Sequence, residues 1–146
     1  MPDSLTRQEI LAASAYFEAV WEEDAEALGA LMRRGDGEQP MPRLVAEFGS
    51  GIIHALVFEA AGFHDGMSGA QRQAAQERLV TDPVVQVSLL LADTLTELSW
   101  SADAEQTATI ARSVIGYLTR TGGEAAQERV LPLIGAMRDK ALGKAI

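Results

Sequence analysis

The chain contains no cysteine and only two histidines among its 146 residues. Without cysteine there is no disulfide scaffold, no thiolate-ligated zinc or iron–sulfur site, and no thiol nucleophile. Two histidines cannot furnish a three-histidine metal site. Neither has a glutamate three residues before it, so the Glu-x-x-His pattern of di-iron bundles is missing. Basic residues are scarce as well. Twelve Lys and Arg stand against 21 Asp and Glu, a formal net charge of -9. A nucleic-acid grip needs clustered Lys and Arg, so no nucleic-acid partner is expected.

Long apolar runs are missing too. The longest strongly apolar stretch, residues 52–63, is interrupted by His54 and Glu59. A membrane span needs roughly 20 apolar residues, so this stretch reads as a buried core helix. The start, Met1-Pro2-Asp3-Ser4, lacks the basic and apolar regions of a secretory signal. The expectation is a cytoplasmic protein without a membrane partner. There is no P-loop and no Rossmann glycine fingerprint. Gly49-Ser50-Gly51 does not make a G-x-S-x-G nucleophile elbow, and no strand leads into it.

What remains is helix. Hydrophobic residues make up 47% of the chain, enough for a core at a length that fits one domain, residues 1–146. No period-2 alternation appears. Thr6 with Glu9 and Ser68 with Gln71 form capping boxes, in which each side chain satisfies an orphan backbone N–H. Asp24 and Asp82-Pro83 open two further helices, and Ser101 opens another. Gly35 and Gly122-Gly123 read as stops, and Gly62 to Gly69, with three glycines, as a loop. Residues 35–42 read as a loop, because two prolines and two glycines break a helix.

The fold class is therefore all-α, a single-domain bundle of six to seven helices. Two helices, residues 43–61 and 83–100, are nearly all-apolar and are expected at its centre. Gly49 and Gly51 interrupt the first of them, as sites of close helix approach or of a kink. Pro132 is expected to kink the last helix or to shift its start.

Three functional readings follow. The first is a non-enzymatic interaction or regulatory module, self-associating as a homodimer through an apolar helix face. Its motive is a surplus of apolar side chains, including Leu90, Leu91, Trp100, Phe63 and Met67, over catalytic groups. The second is a small apolar ligand held between helices near His54. Phe48, Phe58, Trp100 and Tyr117 would line that pocket, and His54 and Asp93 would orient the ligand. A purely structural role for His54 would be a core hydrogen bond, with Asp93 as its partner. Gln86, Asp93 and Glu97 share one helix face, which reads most simply as a solvated stripe.

The third reading starts from Glu22-Glu23-Asp24-Ala25-Glu26. Carboxylates at i, i+3 and i+4 share a helix face and suit Mg²⁺. The run resembles the E-E-x-x-E pattern of the MazG-like all-α nucleotide pyrophosphohydrolases. The resemblance covers these five residues and implies a Mg²⁺-dependent hydrolase using Glu22, Glu23 and Glu26. That family's downstream E-x-x-D is absent, since no Glu here has an Asp three residues later. With Glu18, the same run forms an acidic docking patch (Glu18, Glu22, Glu23, Asp24, Glu26) suited to a basic protein partner. The leading expectation carries no catalytic residue, metal or cofactor.

Overall fold

A computed structural model describes residues 5–121 and 126–144. Among these residues the chain forms seven helices and no strand: α1 (Arg7–Glu22), α2 (Ala25–Met32), α3 (Met41–Ala61), α4 (Gly69–Thr81), α5 (Pro83–Leu98), α6 (Ala104–Thr121) and α7 (Ala126–Lys144). The all-α bundle read from the sequence is the fold. Both capping boxes are present, with Thr6 Oγ1 accepting from the Glu9 N–H and Ser68 Oγ accepting from the Gln71 N–H. Asp24 accepts from the Ala27 N–H and Asp82 from the Val84 N–H, as N-caps should.

Several boundaries differ from the sequence reading: α2 ends at Met32 with Arg33, not Gly35, as its C-cap, and α5 ends at Leu98, two residues short of the expected 100. Helix α3 starts at Met41, two residues earlier than expected. Pro42 occupies its first turn, where a missing N–H costs nothing because that donor has no helical partner. The start of α6 is capped by Asp103 rather than Ser101. Asp103 Oδ1 accepts from the Gln106 N–H, and Gln106 Oε1 accepts from the Asp103 N–H. Asp outcompetes an upstream Ser when the residue three places on can close the reciprocal box. Pro132 lies inside α7. The proposed stop at Gly122-Gly123 lies outside the described residues.

Helix α3 runs through the middle, packed against α1, α5 and α6, with α7 closing on α1 and α6. Its residues Leu44, Val45 and Ile53 are fully buried, and so are Phe17 of α1 and Val114 of α6. Each such side chain contributes about 1.5–3 kcal/mol of burial. Close packing depends on Gly49. A Cβ built there would stand 2.7 Å from Val114 Cγ2 and 3.3 Å from Phe17 Cζ. Gly49 is thus the close-approach site of α3, whereas Gly51 faces open space.

Both ends of α3 are tied by arginines. At the start, Arg43 donates to Ser99 Oγ at 2.9 Å, pairs with Glu47 at 3.4 Å and stacks 3.6 Å over the Trp100 ring. At the end, Arg78 of α4 donates to the Ala61 carbonyl at 3.1 Å. That carbonyl belongs to the last turn of α3, where a cation is favoured.

Tyr16 is buried on the inner side of α1. Burial pushes its phenol above the ordinary tyrosine range, and the nearby positive charge of Arg112 pulls it partly back. The folded state therefore holds this proton more tightly than the unfolded state. Its contribution to stability is full below the unfolded value and is lost as pH rises through the folded one. Urea unfolding of wild type and Tyr16→Phe should show a steeper alkaline loss for wild type above about pH 10. Equal slopes would show that this phenol is not the group responsible.

Candidate functional site

The two apolar helices differ in how they are used. Helix α3 is buried on most sides. Helix α5 buries only Val85, Ser88, Ala92 and Leu95, a narrow strip against α3. Its remaining apolar side chains face outward: Val84 is 68% exposed, Val87 66% and Leu90 64%. Val84, Val87, Leu91, Thr94 and Leu98 recur at three- and four-residue spacing, the geometry of a coiled-coil seam. Of these, Leu91 is half-buried and the other four are exposed. Leu90 widens the stripe on one side. The exposed group Gln86, Asp93 and Glu97 lies about a third of a turn away, so no charge interrupts the seam. Val80, at the end of α4, adds a further exposed side chain where the chain bends by 68° into α5.

A second feature lies on the outer side of α3. A cavity of about 940 Å³ opens between α3, the start of α1, the end of α7 and the 62–68 loop. Ligand pockets span roughly 300–1,000 Å³, so it is at the large end of that range. Its apolar lining includes Ile10, Phe48, Ile52, Phe58, Phe63 and Met137. Glu47, Glu59, His64, Asp65 and Lys140 supply the polar groups. Gly51 and Ala55 form a low floor between the bulky Phe48 and Phe58. The rings of Phe58 and Phe63 meet edge to face, with centroids 5.3 Å apart.

The six pocket residues named from sequence do not share this cavity. Phe48 and Phe58 line it. His54 is half-buried and turned back on its own helix, with Nδ1 donating to the Ser50 carbonyl at 2.7 Å and Ser50 Oγ 3.2 Å from the same nitrogen. Asp93 is exposed on α5, so it is not the partner of His54. Trp100 is exposed beneath Arg43 at the far end of α5. Tyr117 donates from its hydroxyl to Ser88 Oγ at 3.0 Å, joining α6 to α5. The expectation that all six converge is therefore corrected. One backbone turn absorbs His54, and three of the others belong to the α5 side of the bundle.

The acidic run is broken in the middle. Glu22 ends α1, Glu23 sits in the left-handed region at φ 56°, and Asp24 starts α2 as its N-cap. The carboxylates therefore do not share one helix face, which the Mg²⁺ reading requires. Among the described residues, no three His, Asp or Glu side chains converge to hold a metal ion. Glu18 stands apart, 3.5 Å from Arg138 of α7. Glu22, Glu23, Asp24 and Glu26 are exposed at the α1–α2 corner.

Among the described residues, α3 is the one helix long and apolar enough to cross a membrane, and its apolar stretch is half buried in the bundle. No family model matches the chain, and neither a curated protein nor a solved structure matches it.

Proposed function

We propose that the protein is a non-enzymatic, self-associating helical module whose copies pair through α5. The observation that carries this reading is the uncharged 3-4 stripe of Val84, Val87, Leu91, Thr94 and Leu98, exposed at all but the half-buried Leu91. Scattered apolar side chains are ordinary on a protein surface, but a contiguous stripe marks an interface. The occupant is a second copy. A chain of net charge -9 repels its own kind over most of its surface. Two copies meet at the least electrostatic cost where charge is lacking, and the stripe is such a face. It runs along a single helix, so a two-fold axis across α5 would place like residues against like.

Light scattering should return twice the 15.6 kDa chain mass. Val87→Asp should weaken the pair at least about tenfold, because a carboxylate buried against valine and leucine has no partner. Circular dichroism of the variant should stay helical, since Val87 is exposed within one chain. A wild-type mass of one chain at the highest soluble concentration would sink this reading.

A further inference from the structure

We infer that the cavity beside α3 is a binding site for an amphipathic organic amine, with the apolar body on the Gly51–Ala55 floor and the ammonium at the α3 C-terminal end. The first observation is Gly51. Glycine inside a helix lowers its stability, and a natural sequence tolerates that where backbone or a neighbour must come close. Gly49 has that reason in Val114 and Phe17. Gly51 has none, because nothing stands within 4 Å of a Cβ built there. What a side chain at Gly51 would occupy is the cavity itself. Local stability is given up where only the empty volume gains, the pattern expected of a functional position.

The second observation is the chemistry of one end. Phe58 and Phe63 present their edge-to-face pair there, and the carboxylates of Glu59 and Asp65 adjoin them in sequence and line the same cavity. Aromatic faces attract cations. The last turn of α3 ends at this place, but its carbonyls already accept from the N–H groups of Gly62 and Phe63 and from Arg78, so the two carboxylates carry the preference for positive charge. Glu47 also lines the cavity, but nearer the start of α3, where Arg43 engages it. Lys140 is the single cation among the described lining residues, so the rim favours an ammonium over an anion. The site does not involve the α5 stripe and stands whether or not the chain dimerises.

Three probes of one shape test it: phenylbutylamine, phenylbutanol and phenylbutyrate, which differ in the charge of the head. Calorimetry on the wild-type chain should show one saturable site for the amine, about tenfold tighter than for the alcohol, with phenylbutyrate weakest. The amine's advantage should shrink with added salt. It should also fall about three- to tenfold in the Glu59→Gln, Asp65→Asn double variant, whose two positions are exposed and should leave folding intact. Gly51→Leu should abolish binding of all three probes while circular dichroism stays helical. Phenylbutyrate binding as tightly as the amine would overturn the ligand class. Unaltered binding to Gly51→Leu, or no saturable binding of any probe, would overturn the site.

Discussion

Phe17→Ala is expected to destabilise the protein by about 3–5 kcal/mol, the cost of removing a large buried ring and leaving a cavity. Phe17 is 0% exposed. Its ring lies 5.7 Å from that of Phe48 at a 52° tilt, and its Cζ closes on Gly49. The hole would therefore open at the meeting of α1, α3 and α6. Flanking residues cannot collapse into it, because α3 is held there by its contact with Val114. Domains of this size have only about 5–15 kcal/mol to lose, so the urea midpoint should fall by a large fraction. A loss under about 1 kcal/mol would show that the packing around Phe17 relaxes freely.

The second large effect is a contrast of sign. Gly49→Leu and Gly51→Leu make the same chemical change two residues apart on one helix. Each gains about 1 kcal/mol of intrinsic helix preference over glycine. At Gly49 the new side chain meets Val114 and Phe17, both fully buried, and neither can retreat. Overpacking there should cost about 3 kcal/mol or more before the helix gain is counted. At Gly51 the side chain enters the open cavity between Phe48 and Phe58, so the variant should be about 1 kcal/mol more stable. Thermal or urea unfolding of both variants decides the matter. Equal signs would contradict the assignment of one glycine to packing and the other to the cavity. Val114→Ala in the Gly49→Leu background should recover part of the loss, a coupling expected only for residues in contact.

The sequence carries the local rules well. Thr6 with Glu9, Ser68 with Gln71, Asp24 and Asp82-Pro83 announce their helices because a cap is a contact between residues two or three apart. The all-α class follows from the same periodic signals. Burial around α5 was not legible. Valine and leucine on every side look the same whether a neighbouring helix covers them or nothing does, and only the position of α3 decides which side is inside. The break at Glu23 was hidden for another reason. A left-handed residue of that kind is usually glycine or asparagine, and Glu gives no warning of it.

The cavity was half legible. Phe48 and Phe58 flank Gly51 and Ala55 at helical spacing, a signal available in the sequence of α3 alone. Phe63 and Met137 were missed, because the 62–68 loop and α7, which packs on α1 and α6, reach the cavity only in the folded chain. His54 and Trp100 misled for a shared reason. Each is a conspicuous residue type whose interactions turn out to be local or terminal, a Ser50 carbonyl for one and the Arg43 guanidinium for the other.

The two arginines at the ends of α3 have a mechanical consequence. Arg43 fastens its first turn to the Ser99–Trp100 corner, and Arg78 fastens its last carbonyl to α4. A helix pinned at both ends behaves as a fixed rail between the rest of the bundle and the cavity. Whatever widens that cavity must therefore move the opposite wall, α7 with Met137 and Lys140 or the loop bearing Phe63 and Asp65. Loop excursions occur within nanoseconds to microseconds, faster than helix displacements of microseconds to milliseconds. By that measure the loop, rather than α7, is the wall expected to move first.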